Sequence, residues 1–213
     1  KPYIIAELSG NHGGSLARAL ELIESAALTG ADAVKFQTYT PDTITIKSER
    51  SEFVIKDPGS LWVGRTLYDL YEEAHTPWDW HEPMFKKARS LGMEVFSSPF
   101  DLTSVDFLES LDVAAYKIAS LEITDVQLIK KVAGTKKPLI MSTGGASLGD
   151  IEKAVNVARK NGATQIILLK CTSAYPAAPE DANLRSMPSL GRIFGCHFGL
   201  SDHTLGVAGS LAS

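Results

Sequence analysis

Short apolar runs recur along this chain, and almost every one stops at polar or charged residues. Tyr3 to Ala6 is continuously apolar, as in a strand covered on both faces, and it stops at Glu7. A polar, glycine-rich segment follows, with Ser15 as a candidate N-cap. Leu16, Ala19, Leu20, Ile23, Ala26 and Ala27 then repeat at helical spacing until Gly30. The same unit returns along the rest of the chain. Strands are predicted over 31–36, 93–96, 114–118, 138–141, 165–169 and 197–200. Helical spacing fills 67–74, 78–91, 148–160 and a shorter stretch near 183–190, with further helices capped by Asp101 and by Thr124 or Asp125. A small-residue helix begins after His203. The segment 38–65, punctuated by Pro41, Pro58 and Gly59, reads by its length as a functional loop.

Strand and helix thus alternate seven times without a hairpin signal, which predicts an α/β fold with a parallel sheet and crossover helices. An open doubly wound sheet and a closed barrel compete. The first turn reads Ser9-Gly10-Asn11-His12-Gly13-Gly14, which lacks the dinucleotide-binding spacing, and no P-loop is present. Polar groups at the C-terminal end of every strand, rather than at one switch point, favour a (β/α)8 TIM barrel. Seven units fall short of eight, so the barrel is expected to be truncated after its seventh strand, with 1–213 as one incomplete domain. Lys1 stands directly before the first strand without an initiator Met, and the chain is expected to be trimmed at both ends.

Composition narrows the function classes. Hydrophobic residues make up 44% and charged residues 22% of the 213, as in ordinary globular proteins. A net charge of -4 argues against nucleic-acid or anionic-membrane binding, although a local basic pocket is compatible with it. Cys171 and Cys196 form no CxxC pair, which points to a reducing, cytoplasmic setting. No apolar run approaches the length of a membrane span.

The strand ends carry the chemistry. Lys35, Lys117 and Lys170 sit near the last residues of their strands, and ammonium groups converging on one mouth require an anion such as a phosphate or carboxylate. Ser98, Ser120, Ser142, Thr143 and Ser201 add hydroxyls at the same level, each by itself an ordinary turn or cap residue. Glu7 and Glu122 suit proton transfer or sugar hydroxyls. Ser201, Asp202 and His203 leave one strand together, and His203 is a candidate ligand for a divalent metal. His12 is a second candidate for that mouth. His75, His81 and His197 read as structural, and Cys171 as a packed thiol.

With these residues assembled, the chain resembles the sialic acid synthase family. The matching segments are IIAELSGNHGGS (4–15), GADAVKFQTYTPD (30–42), FSSPFD (96–101), AYKIASLEITD (115–125), PLIMSTGGAS (138–147), LLKCTSAYP (168–176) and GLSDHT (199–204). Within the family, AELSGNH, QTYTPDTITI and LYDLYEEAHTPWDWH resemble the pseudaminic acid branch, with the neuraminate and legionaminate branches as alternatives. The resemblance implies condensation of phosphoenolpyruvate with an N-acetylated amino sugar, for this branch a 2,4-diacetamido-2,4,6-trideoxy hexose, with phosphate released. It implies Lys35, Ser98, Lys117, Ser120, Ser142, Ser173 and Ser201 as phosphoenolpyruvate contacts, the neuraminate branch carrying Asn where this chain has Ser173. It further implies Gln37, Glu122 and Tyr175 as sugar contacts, and Glu7 as an acid beside the reacting carbons. Glu7, Lys35 and Lys117 form the implied catalytic set. His203 becomes one of two histidine ligands of manganese or magnesium. The second histidine, on an eighth strand, and a C-terminal antifreeze-like domain reaching the partner subunit of a homodimer are implied to lie outside this chain. The 213-residue chain alone is therefore expected to be inactive. Two rival expectations are a Schiff-base aldolase using Lys117 and a non-catalytic phosphosugar-binding barrel.

Overall fold

A computed structural model describes residues 1–60 and 62–213; Leu61, in the loop expected over 38–65, lies outside the described residues. The chain forms two compact units, Lys1–Val113 and Ala114–Ser213.

In the first unit, strands β1 (Ile5–Glu7), β2 (Ala33–Thr38) and β3 (Glu94–Pro99) pair in parallel in chain order. Helix α1 (Leu16–Leu28) starts at Ser15, whose hydroxyl accepts from Arg18 N–H, so the expected cap is in place. The loop after β2 has structure of its own. It holds a short helix α2 (Pro41–Ile44), a 3₁₀ turn (Ser51–Phe53) and an antiparallel bridge between Val54 and Thr66. Helices α3 (Leu67–Ala74) and α4 (Trp78–Ser90) follow, and α5 (Leu102–Ser110) is capped by Asp101, which accepts from the N–H groups of Thr103 and Ser104.

The second unit repeats the pattern. Strands β4 (Tyr116–Ile118), β5 (Leu139–Ser142), β6 (Ile166–Cys171) and β7 (His197–Ser201) pair in parallel, in order. Asp125, not Thr124, caps α6 (Val126–Gly134). Ser147 and Asp150 make a reciprocal capping box on α7 (Leu148–Lys160). Helices α8 (Met187–Phe194) and α9 (Ala208–Ala212) complete it.

Several strands start later and end later than the apolar runs suggest. β2 runs on to Thr38, β3 to Pro99 and β6 to Cys171. The reason is the period of two: the final residues alternate between the two faces, so polar side chains enter the strand while the ladder continues. On β2 and β3, Val34, Phe36, Thr38, Val95 and Ser97 share one face, where Phe36 stacks on Phe85 of α4. Lys35, Gln37 and Ser98 share the other, and Glu7 lies beside Lys35 in the β1–β2 register. In the second unit, Lys117, Ser142, Cys171 and Ser201 share a face, and Tyr116, Met141, Leu168 and Lys170 share its opposite. The core of each unit lies on the helix side. Ile23, Met84 and Phe85 are buried in the first, and Leu128, Ile129, Leu139, Met141 and Leu168 in the second. No helix of the described residues is long and apolar enough to cross a membrane.

Candidate active site

In the first unit, Lys35 and Glu7 meet as an ion pair on the face that also carries Gln37 and Ser98. The second carboxylate oxygen of Glu7 accepts from Ser9 N–H at 3.1 Å and from the Ser9 hydroxyl at 2.8 Å, which fixes the acid at the strand end. Gln37 is half-buried, and in the β2–β3 register it stands beside Ser98. The Ser98 hydroxyl is buried and has no hydrogen-bond partner among the described residues. A buried hydroxyl left this way costs roughly 1–3 kcal/mol unless a ligand satisfies it.

The second unit is richer. Lys117 is only 8% exposed and makes no ion pair among the described residues. Burial pushes its ammonium below the usual lysine range, against the pull of Cys171 and Glu122. Burial also raises the Glu122 carboxyl, with Lys117 acting the other way. One Glu122 oxygen and the hydroxyl of fully buried Ser142 have no hydrogen-bond partner among the described residues. Ser120 accepts from Gly144 N–H at 3.1 Å, which leaves the Ser120 proton for another acceptor. Lys117, Ser120 and Ser142 thus form a donor-rich group, with the chemistry of an anion site.

The segment after β6 and the segment after β7 are tied together by a bridge between Ala177 and Thr204 and by Ala177 N–H donating to His203 C=O at 2.9 Å. This brings Tyr175 onto the His203 ring, with centroids 4.2 Å apart. His203 Nδ1 lies 2.9 Å from Thr172 C=O. Donation there puts the lone pair of neutral imidazole on Nε2, the form a metal ligand takes. His203 therefore fits one ligand position. Among the described residues no group of three His, Cys, Asp or Glu side chains could hold a metal ion.

Some expectations change. Lys170 does not converge with Lys117, because it lies on the opposite face and donates to Cys171 C=O and Thr172 Oγ1 at 3.2 and 3.4 Å. The period of two decides this. Thr143 donates to Leu169 C=O at 3.0 Å, so its hydroxyl serves the strand end. Asp202 leaves β7 beside His203 but turns to local work. Burial pushes its carboxyl upward, yet hydrogen bonds from Thr204 N–H, the Ser210 hydroxyl and the Thr204 hydroxyl hold it below the usual range. His12 is buried, with Nδ1 accepting from Gly14 N–H and Nε2 against the Thr76 hydroxyl, so neither nitrogen is left for a metal. His75 and His81 are structural as expected; His75 Nδ1 meets Glu72 C=O, and His197 is exposed at the start of β7. Cys171 is a buried thiol, 3.9 Å from both Ser173 Oγ and His203 Nδ1. Sequence reasoning missed the Thr172 carbonyl that orients His203. A main-chain acceptor leaves no mark in residue identity.

A comparison with protein families matches residues 22–213 to the NeuB family. Pseudaminic acid synthase of Helicobacter pylori is 49% identical over 205 residues, covering 96% of this chain and 60% of that protein. N,N'-diacetyllegionaminic acid synthase of Campylobacter jejuni is 40% identical, covering 100% of this chain and 64% of that protein. Among solved structures, the N-acetylneuraminic acid (sialic acid) synthetase of Leptospira borgpetersenii in complex with citrate superposes with a TM-score of 0.84 at 31% identity. It covers 97% of this chain and 66% of the other. The chain thus spans about 60% of the length of a curated relative. Its βα repeats have the fold class expected from sequence, the (β/α)8 barrel. The chain belongs to the NeuB family, the sialic acid synthase family that its strand-end motifs resemble.

Proposed function

We propose that residues 1–213 are part of the catalytic barrel of a pseudaminic acid synthase, which joins phosphoenolpyruvate to a 2,4-diacetamido-2,4,6-trideoxy hexose with water and releases phosphate. The observation that carries the anion half of this reading is the buried, unpaired Lys117 with the partnerless Ser142 hydroxyl on the same face. The choice of sugar rests on the 49% identity to a pseudaminic acid synthase against 40% to a legionaminic acid synthase.

In this reading Lys35, Ser98, Lys117, Ser120, Ser142, Ser173 and Ser201 are the phosphoenolpyruvate contacts that the family resemblance implies. Gln37, Glu122 and Tyr175 hold the sugar. Carbon 3 of phosphoenolpyruvate attacks the open-chain aldehyde carbon, the aldehyde oxygen takes a proton, and positive charge develops at carbon 2. Water adds there and loses a proton. The tetrahedral centre then expels phosphate by breaking the carbon–oxygen bond, leaving the ketone. Glu7 accepts the proton of water in this reading, which its ion pair with Lys35 and its bond from Ser9 support, and the lysines stabilise negative charge throughout. A manganese or magnesium ion bound at His203 Nε2 would polarise the aldehyde oxygen. The working protein is a cytoplasmic homodimer, without nucleic acid or membrane partners.

The test is phosphate release by the full-length protein with phosphoenolpyruvate and a panel of N-acetylated sugars, the bridging oxygen carrying a heavy isotope. Release with the 2,4-diacetamido sugar, the label staying on phosphate, is expected. Turnover of N-acetylmannosamine alone would overturn the branch, and binding without release would leave a non-catalytic barrel. The lowered Lys117 ammonium favours one second reading, a Schiff-base aldolase. Borohydride trapping of pyruvate on Lys117 would establish it; no trapping is expected.

A further inference from the structure

The turn after β5 carries two adjacent glycines that look alike in sequence and differ in structure. Gly145 has φ +73°, the left-handed region that favours glycine, and nothing lies within 4 Å of the Cβ it lacks. Its backbone asks for glycine. Gly144 has no such φ, so an alanine backbone fits there without strain. What forbids a side chain at Gly144 is its surroundings. A Cβ there would collide with Ser173 Oγ, and would stand 3.0 Å from Ser120 Oγ and 3.2 Å from Cys171 Sγ. All three side chains come from strand ends of the second unit, and two of them belong to the proposed anion set.

Gly144 also donates its N–H to Ser120 Oγ at 3.1 Å. That bond uses a lone pair of Ser120 and leaves its proton for another acceptor. The partnerless Ser142 hydroxyl, fully buried, is two residues away on the same segment, and Lys117 is on the same face. Ser120 is held by its bond from Gly144 and Cys171 by burial, whereas Ser173 is exposed and its hydroxyl, 3.9 Å from Cys171 Sγ, can turn away about one bond. A methyl group on Gly144 would therefore relieve the closest collision by turning the Ser173 hydroxyl away.

We propose that Gly144 is a positioning residue for anion binding: the space left by its missing side chain is where the Ser173 hydroxyl stands beside Ser120, and filling it weakens phosphoenolpyruvate binding through Ser173. The inference rests on the synthase reading above. It assigns a role to a residue that makes no side-chain contact of its own.

The experiment is a double-mutant cycle on the full-length protein, with phosphoenolpyruvate binding and steady-state kinetics as readouts. Gly144→Ala and Ser173→Ala are each expected to raise the Kd and KM for phosphoenolpyruvate about tenfold, the worth of one hydrogen bond to an anion. kcat stays within about twofold, because the contact is the same in ground and transition states. The double variant is expected to lose about tenfold, not the hundredfold of two independent effects. Gly145→Ala is the control, expected to lower thermal stability and leave KM unchanged. Should Gly144→Ala alone not fold, Gly144→Ala/Ser173→Gly removes the closest collision and is expected to bind like Ser173→Gly. Wild-type affinity in Gly144→Ala, or a hundredfold loss in the double variant, overturns the inference. A wild-type protein that binds no phosphoenolpyruvate overturns the synthase reading itself.

Discussion

Two buried polar clusters in this molecule make opposite use of the same groups. On the helix side of β2 and β3, His81 Nδ1 meets Pro77 C=O at 3.2 Å, its Nε2 meets Thr38 Oγ1 at 2.8 Å, and Thr38 Oγ1 meets Ser97 Oγ at 2.6 Å. The chain closes on itself. One tautomer satisfies every atom in it: Nδ1–H donates to Pro77, Thr38 donates to Nε2, and Ser97 donates to Thr38. At the ends of β4 and β5, Lys117 and Ser142 are buried and Glu122 is half-buried; among the described residues the ammonium makes no ion pair, and one carboxyl oxygen and the Ser142 hydroxyl have no hydrogen-bond partner. Burial alone therefore does not mark a site. Burial without satisfaction does, because such groups lower stability until a ligand completes them.

The contrast breaks most cleanly at Lys117. Lys117→Met removes the unpaired ammonium and keeps the apolar stem, so phosphoenolpyruvate affinity should fall on the order of 100-fold. The melting temperature should hold or rise, since an uncompensated buried charge has gone. A fall in both would place Lys117 with the closed cluster. His81→Ala should do the reverse. It empties a fully buried site and strands Thr38, costing about 3 kcal/mol in chemical denaturation.

A pH series sharpens the same comparison. Burial lowers the His81 imidazole to about 4 from 6.5, so the unfolded chain binds the proton more readily between those values. Its contribution to stability is complete above pH 6.5 and is lost as the pH falls toward 4. The total is about 3 kcal/mol on linkage arithmetic. Denaturant midpoints at pH 7 and pH 4.5 should show that loss, and His81→Gln should flatten it.

The smallest effects belong to the hydroxyls. Ser142→Ala deletes a buried oxygen with no partner among the described residues and should be neutral or stabilising by up to about 1 kcal/mol, while raising the phosphoenolpyruvate KM of the proposed reaction about tenfold. Thr38→Val has nearly the same shape but strands His81 Nε2 and the Ser97 proton. It should cost about 1–2 kcal/mol and leave KM alone.

Most of the framework was legible because it is written in periodicities and caps. Ser15, Asp101 and Asp125 all stand at helix starts, and each accepts from the N–H groups its side chain can reach; the Ser147 cap of α7 was not read from the sequence. The strand-end polar residues were legible as a set, since apolar runs stop at them. Which of them turn toward the site was less so. Lys170 and Cys171 are neighbours in sequence and opposite in space, Thr143 donates to the main chain of the adjoining strand, and Asp202 is taken up by Thr204 and Ser210. The short apolar run of β6 gives no phase for its alternation, and local hydrogen bonds of loop residues depend on backbone angles that composition does not encode. The two glycines of the β5 turn show the same limit, one needed for its φ and one for its neighbours.

The alternation on β6 has an engineering consequence. Because Lys170 and Cys171 point to opposite faces, deleting or inserting one residue between Ile166 and Leu169 works like a frameshift for everything downstream in that strand. Lys170 would be carried onto the face of Lys117, and Cys171 away from His203. The segments that begin after Cys171 and after Ser201 carry no such reading frame. Their length is fixed instead by the contacts that tie them together, the Ala177–Thr204 bridge and the approach of Thr172 C=O to His203 Nδ1.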